Sequence, residues 1–272
     1  MRPLIFIADY GTDPLAVTEA IIAVRQYARA AFSVDVVASR PFNTVHTGFL
    51  LDQLQRGFGK DGARAVFYLN TDPRTQTTEA TVAAAGSPLV AAQLQNGAWV
   101  ITPNAGHCLS FVRGTIARLA TIHVAADGSQ FRSRDVFPLA VAAALDGTLP
   151  SLFGSDLPHS TIPPLPDDPI VLHCDNYGNI KTSLTQRILS TLGCSWGDEV
   201  RVRIGGHEFR VPMLPTIFSD RPGRMVLAPG SSGDPAHPYF EISVRFNGDA
   251  AASAAAKFGW PEPGTPVACA KA

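Results

Sequence analysis

Asp9 is the first residue whose type and place in the sequence suit it to chemistry. It follows an apolar run, residues 4–8, that predicts a buried parallel strand, and Gly11 comes two residues later. The carboxyl edge of such a sheet is where α/β proteins bind ligands. A carboxylate at that edge either accepts hydrogen bonds from the two hydroxyls of a ribose or caps the next helix. No GxGxxG motif follows the strand, which disfavours a dinucleotide site.

A second polar loop, residues 71–78, follows the apolar run at residues 65–70. Its carboxylate at Asp72, its hydroxyls, among them Thr75, and its backbone N–H groups are suited to position a water or an anion. The alternative is a solvated turn, because Asp-Pro and Thr are common in turns.

Two further segments place acids beside other polar groups. Residues 131–135 precede a predicted helix, where an acid such as Asp135 is favoured by the helix dipole. Residues 174–179 combine Asp175, Asn179 and a glycine turn at the end of a predicted strand. An acid and an amide together suit the ammonium and carboxylate groups of an amino acid, and the alternative is an Asx-type turn.

Several function classes have no support in the composition. The seven histidines and four cysteines lack the spacing of a metal site, and no GxSxG elbow or P-loop is present, so no metal is expected. A net charge of −1 disfavours nucleic-acid binding. No apolar stretch is long enough to cross a membrane, and scattered cysteines are typical of reduced thiols. We therefore expect a cytoplasmic protein without nucleic-acid or membrane partners.

The elements that must position these loops indicate an α/β fold. Alternating strands and helices in residues 1–150 predict an N-terminal α/β domain with a mostly parallel sheet flanked by helices. Residues 149–169 contain six prolines, and residues 151–169 are interpreted as a linker. Short strands and frequent turns in residues 170–272 predict a smaller, barrel-like all-β domain, with a hairpin turn at Gly205 and Gly206.

The order and spacing of these motifs resemble the SAM hydroxide adenosyltransferase family, which is related to the fluorinases and chlorinases. Residues 6–17 resemble the family's first strand and its Asp-Phe-Gly loop, and Pro41-Phe42 stands where the halogenating members have a Pro-Trp that contacts the ligand. Asp72-Pro73 matches the family's Val-Asp-Pro-Gly-Val-Gly loop. Residues 131–137 closely resemble its Phe-His-Gly-Arg-Asp-Ile-Phe segment.

The C-terminal half continues the resemblance. Residues 175–179 match the Asp-x-Phe-Gly-Asn signature, residues 218–220 stand in place of Tyr-Ser-Asp, and residues 231–233 match a Ser-Ser-Gly before the last strand. The resemblance implies that residues from both domains bind S-adenosylmethionine (SAM). Asp9 would bind the ribose, and Phe42 would contact the ligand. Toward the methionine portion lie Asp175, Asn179, Ser231 and Ser232, and toward the adenine lie Phe218, Arg245 and Asn247.

The resemblance also implies an activity and an assembly. Water would attack C5′ of the SAM ribose, and the products would be adenosine and L-methionine, with SAM as substrate and no cofactor. Asp72, Thr75 and Ser133 would position the water. Family members are homotrimers with the ligand between the N-terminal domain of one subunit and the C-terminal domain of its neighbour.

The sequence departs from the family's hydrolytic Asp, Arg and His set. Asp72 keeps the acid, but Glu79 stands at the arginine position and Arg132 at the histidine position. Arginine cannot accept a proton, so Arg132 would act only as a cation. Two alternatives therefore stay open beside hydrolysis: a non-catalytic protein that binds SAM or adenosine, and a related enzyme that uses a halide or another nucleoside. Asp72 would repel a halide, which favours water.

Overall fold

A computed structural model describes residues 1–11, 13–71, 87–123, 131–245 and 252–272. The chain divides into two compact units, Met1–Leu165 and Pro166–Ala272. The division falls inside the proline-rich segment that is interpreted above as a linker. Residues 151–165 belong to the first unit and contain Phe153–Asp156, an edge strand of its sheet.

The first unit contains seven strands and four α-helices among the described residues. The strands are β1 (Arg2–Ala8), β2 (Phe32–Ala38), β3 (Val66–Asn70), β4 (Leu89–Leu94), β5 (Trp99–Pro103), β6 (Ile116–Ile122) and β7 (Phe153–Asp156). The helices are α1 (Pro14–Tyr27), α2 (Thr44–Phe58), α3 (Arg132–Asp135) and α4 (Pro138–Asp146). Short 3₁₀ helices span Gly59–Arg64, Ser110–Thr115, Leu149–Leu152 and His159–Thr161.

The seven strands form one mixed sheet in the order β2-β1-β3-β5-β4-β6-β7. β2, β1, β3 and β5 are parallel, whereas β4, β6 and β7 join by antiparallel pairing. The α/β class is thus confirmed, but the expectation of a mostly parallel sheet holds for only half of it. The reason is a tight hairpin between β4 and β5 at Asn96 and Gly97, whose φ of 88° is a conformation that glycine adopts readily.

The first sheet is buried on both faces. Leu4 and Phe6 of β1 lie in one hydrophobic core with Val24 of α1, whereas Ile5 and Ile7 lie in a second core with Leu51 of α2. Successive side chains of a strand point to opposite faces, so a strand between two cores is apolar at every position. This is why residues 4–8 read as a continuous apolar run, and it leaves the polar residues to the strand ends.

The second unit is rich in antiparallel strands. They are β8 (Val171–Cys174), β9 (Ile180–Thr182), β10 (Glu199–Ile204), β11 (His207–Pro212), β12 (Met225–Asp234), β13 (His237–Val244) and β14 (Val267–Lys271), with the short helices α5 (Gln186–Thr191) and α6 (Ala254–Lys257) and a 3₁₀ turn at Ile217–Ser219. One sheet has the order β12-β13-β9-β8 and the other β11-β10-β14. The hairpin predicted at Gly205 and Gly206 is confirmed, with Ile204 opposite His207.

None of the helices within the described ranges has the length and apolar character needed to cross a lipid bilayer.

Candidate functional site

Asp9 lies directly after β1 and is not the cap of the following helix. Its Oδ2 accepts a hydrogen bond from the backbone N–H of Phe42 at 2.9 Å. Asp13 caps α1 instead, because its Oδ1 accepts from the backbone N–H of Leu15 at 2.9 Å. Of the two roles that the sequence leaves open for Asp9, helix capping is therefore taken by Asp13. Asp9 fixes the backbone at Phe42 through this contact.

Phe42 holds an unusual backbone conformation next to Asp9. It is the third residue of a turn closed by a 3.1 Å hydrogen bond from Asn43 N–H to the carbonyl of Arg40, with Pro41 in the second place. Its φ is 58°, a value that turns of this kind normally reserve for glycine. The ring is 62% exposed, so packing within the chain offsets little of this strain. Strain of this type is often found at ligand sites.

Tyr10 and Ser133 are brought together from opposite ends of the first unit. The Tyr10 hydroxyl is hydrogen-bonded to the Ser133 hydroxyl, and the side-chain amide of Asn70 donates to the Tyr10 oxygen at 2.9 Å. Tyr68 donates its hydroxyl to the Ser133 carbonyl at 2.7 Å. Ser133 is 3% exposed. These contacts place Ser133 at the same strand ends as Asp9. Ser133 is the residue that the resemblance assigns to orienting the nucleophile.

Both tyrosines of this cluster remain protonated at neutral pH. Burial, with a smaller contribution from the negative charge of Asp9, raises the pKa of Tyr10 well above its ordinary value. Burial also raises the pKa of Tyr68, whose ring stacks on Phe6 at 4.6 Å between centroids. Sequence reasoning did not include Tyr10 or Asn70 among the site residues. The signal available was the phenol hydroxyl of Tyr10, since the family loop has phenylalanine at this place.

A buried set of hydroxyls lies at the end of β3. The Thr71 hydroxyl is hydrogen-bonded to that of Thr47 at 2.8 Å and to that of Ser39 at 3.3 Å, and all three residues are at most 4% exposed. Thr47 belongs to α2 and Ser39 follows β2, so three elements fix the position of Thr71. Asp72 comes next in the chain. Asp72, Thr75 and Glu79 lie outside the described residues.

Arg132, predicted at the family's histidine position, lies against backbone and an aromatic ring. Its Nη1 donates to the carbonyl of Ser87 at 3.0 Å, and its guanidinium carbon lies 4.8 Å from the centroid of Phe137. Ser87 is the first described residue after residues 72–86. Arg132 therefore links Ser87 to α3 as a permanent cation. Asp135 forms an ion pair with Arg134, with 2.6 Å between Nε and Oδ1.

In the second unit, Asp175 organises the loop between β8 and β9. Its Oδ1 accepts from the backbone N–H groups of Tyr177 and Asn179, each at 3.0 Å, and its Oδ2 accepts from the Asn179 side-chain amide at 3.0 Å. Gly178, with a φ of 75°, permits the tight turn. The Asx turn expected as the plain alternative is thus present. The second lone pair of Oδ2 still leaves Asp175 able to accept from a ligand ammonium group.

Ser231 and Ser232 lie in a bulge of β12. The pairing with β13 shifts register between Pro229 and Gly233, so the intervening residues leave the regular ladder. Ser231 is exposed, whereas Ser232 is 3% exposed. Among the buried side-chain groups that the structure describes, the Ser232 Oγ is the one atom without a hydrogen-bond partner. A buried hydroxyl without a partner is costly, which suggests that a ligand supplies one.

A partly buried ion pair between Lys181 and Glu241 contacts this bulge. The Nζ of Lys181 lies 2.6 Å from Oε1 of Glu241, and the same oxygen accepts from the backbone N–H of Ser231 at 3.0 Å. A Cβ at Gly230 would overlap the Glu241 side chain, so a larger residue there would displace the carboxylate from its contacts. The Glu241 carboxylate therefore fixes the backbone at Ser231, next to Ser232.

Phe218 and Arg245 lie together near the end of β13. The Arg245 guanidinium carbon is 5.7 Å from the Phe218 ring centroid, and its Nη1 donates to the carbonyl of Asp220 at 3.4 Å. Phe218 is 72% exposed, so one ring face stays open. The exposed ring and the adjacent cation suit a planar heterocycle. Asn247, the third residue predicted here, lies outside the described residues.

No group of three His, Cys, Asp or Glu side chains within the described ranges is arranged to hold a metal ion. The second unit also has a cavity of about 570 Å³ whose lining includes Trp196 and Phe240. It contains none of the predicted site residues.

Two solved structures share this fold over nearly the whole chain. An uncharacterized conserved protein from Thermotoga maritima has a TM-score of 0.74 and 20% identity, covering 98% of this chain and 99% of its own. A conserved hypothetical protein from Thermus thermophilus has a TM-score of 0.66 and 22% identity, covering 99% of this chain and 100% of its own. No model of a known protein family matches the sequence, and no curated protein matches it. The likeness at these identities extends to the fold alone.

Proposed function

We propose that the chain is a SAM hydrolase, a SAM-dependent adenosyltransferase that uses water as its nucleophile. The observation that carries the proposal is the convergence of Asp9, Phe42 and Ser133 at the carboxyl ends of the parallel strands, where the family pattern has its ribose acid, its ring contact and its nucleophile hydroxyl. The identity of the substrate is inferred from the resemblance. These contacts bring together a carboxylate, an aromatic ring and a hydroxyl, which suit that substrate.

The reaction is an in-line displacement at the ribose C5′. Water forms the new C–O bond as the C–S bond breaks, methionine leaves with the electron pair on its sulfur, and one proton goes to solvent. The sulfonium is already a good leaving group, so the protein mainly has to orient and desolvate the water. Asp72, Thr75 and Ser133 are proposed for that role, and Arg132 for stabilising the loop that contains the first two.

Methionine and adenine recognition are assigned to the second unit. Asp175 and Asn179 bind the ammonium group, Ser231 and Ser232 bind the carboxylate, and Phe218 with Arg245 and Asn247 binds the adenine. Support comes from the unpartnered Ser232 hydroxyl and from the exposed face of Phe218. The finer arrangement is also proposed from the resemblance: a barrel-like second domain, and a cytoplasmic homotrimer in which neighbouring subunits complete each site.

A non-catalytic SAM or adenosine binder is the second candidate. It is favoured by Arg132, whose guanidinium contacts the Ser87 carbonyl and the Phe137 ring and cannot accept a proton. Incubation of the purified protein with SAM, followed by chromatography of adenosine, separates the two candidates. Adenosine formed at a rate well above that of Asp72→Ala supports hydrolysis. Calorimetric SAM binding without adenosine supports the binder, and absence of binding rejects both.

A further inference from the structure

Tyr10 provides a hydroxyl inside the candidate site that the family's phenylalanine lacks. Its ring lies edge-on to Phe6 and Phe131, with centroids 6.1 Å and 5.8 Å away. The hydroxyl contacts two polar groups, the amide of Asn70 and the hydroxyl of Ser133. Apolar packing on both sides fixes the ring, so the direction of the hydroxyl is fixed as well.

The chemistry of the partners sets the direction of each hydrogen bond. The Asn70 nitrogen can only donate, so the Tyr10 oxygen is the acceptor of that bond. Either hydroxyl could donate in the bond between Tyr10 and Ser133 on geometry alone. A phenol is intrinsically a stronger acid than an aliphatic alcohol, so we assign the Tyr10 O–H as the donor to the Ser133 oxygen. Ser133 then uses its own hydrogen to donate to a third group.

We propose that Tyr10 is a positioning residue that fixes the Ser133 hydroxyl as a donor toward the oxygen attached, or about to be attached, to C5′ of the ligand. The proposal rests on the proposed function for the identity of the ligand. Its physical content is a one-way series of hydrogen bonds, from Asn70 to Tyr10, from Tyr10 to Ser133, and from Ser133 to the ligand oxygen. The Ser133 carbonyl is held separately by Tyr68, which gives a matched control.

The test uses two ligands that differ by one oxygen. Adenosine contains the 5′-oxygen that water would supply, and 5′-deoxyadenosine lacks it. We expect the wild-type protein to bind adenosine about fivefold more tightly, the worth of roughly one hydrogen bond. Tyr10→Phe and Ser133→Ala should each reduce that preference below about twofold. Tyr68→Phe removes the hydroxyl that donates to the Ser133 carbonyl and leaves the Ser133 side chain untouched. This variant should keep the preference for adenosine.

Turnover gives a second readout. Tyr10→Phe should lower kcat for SAM by about tenfold with KM unchanged, because substrate binding does not require the attacking oxygen. If Tyr10→Phe keeps an adenosine preference that Ser133→Ala loses, or if the wild-type protein shows no preference or binds neither nucleoside, the proposal for Tyr10 is overturned. If the preference behaves as expected but SAM is not hydrolysed, the hydrolase proposal fails and the role of Tyr10 stands.

Discussion

The backbone strain at Phe42 can be separated from the contact of its ring by comparing two substitutions. Phe42→Ala and Phe42→Gly both remove the ring, but only glycine relieves the positive φ of 58°. A residue with a Cβ in the left-handed region costs about 1 to 2 kcal/mol, and glycine costs about 0.5 to 1 kcal/mol more chain entropy on folding. Phe42→Gly should therefore be more stable than Phe42→Ala by about 0.5 to 1 kcal/mol.

This order is the opposite of the one expected in a helix or strand, where alanine is the more stable of the two. Both variants should lose SAM affinity equally, by about two- to tenfold, because an aromatic ring contact is worth about 0.5 to 1.5 kcal/mol. Urea unfolding monitored by fluorescence gives the stability difference, and calorimetry gives the affinities. A Phe42→Ala protein as stable as Phe42→Gly would refute the strained turn. Unchanged SAM affinity in both would refute the ring contact.

Three further predictions concern the second unit and the buried tyrosines. Ser232→Ala removes a buried hydroxyl without a partner, so urea unfolding should show a gain of about 1 kcal/mol, while calorimetry shows weaker SAM binding; a loss of stability would contradict this. Asp175→Ala should weaken SAM binding more than tenfold, whereas Asp198→Ala, which removes another loop acid of the same unit, should leave it unchanged. The raised pKa of Tyr68 means that the unfolded chain releases this proton first, from its ordinary pKa of 10.0 upward. The free energy of unfolding should then fall above pH 10 by up to about 1.4 kcal/mol per pH unit for Tyr68 and by a similar amount for Tyr10, whose pKa is also raised. Tyr68→Phe should therefore show a shallower slope than the wild-type protein; equal slopes would count against the assignment.

The parts of the fold that follow from local pattern were predictable. The apolar run at residues 4–8 forms β1, and the pair Gly205 and Gly206 forms the turn between β10 and β11. The mixed character of the sheet was not predicted, although Asn96-Gly97 between two apolar runs is a sequence signal for a hairpin. When this hairpin signal is overlooked, β4 is not recognised, and the sheet is interpreted as mostly parallel.

The linker interpretation shows a limit of composition. Prolines in residues 149–169 indicate a chain that avoids regular helix, but proline is also compatible with 3₁₀ turns and the ends of edge strands. The structure uses this segment for the Leu149–Leu152 turn and for β7, which pairs only with β6. An edge strand of four residues carries too little pattern to be recognised.

The central contact of the site depends on the tertiary fold. Tyr10 and Ser133 are separated by 123 positions, and no periodicity relates them. Their meeting requires β1 and β3 to be adjacent and α3 to begin at the carboxyl ends of both strands. The sequence identified Asp9 and Ser133 one at a time, through motif resemblance. The fold adds Asn70, whose side-chain amide donates to the Tyr10 hydroxyl that contacts Ser133.

The most direct test of the hydrolase proposal is the fate of the oxygen atom when SAM is incubated with the protein in ¹⁸O-labelled water. We predict equimolar adenosine and methionine, with one labelled oxygen at the 5′ position of adenosine and none in methionine. Asp72→Ala should reduce the rate of label incorporation. Adenosine formed no faster than with Asp72→Ala, or adenosine without label, would contradict hydrolysis at C5′.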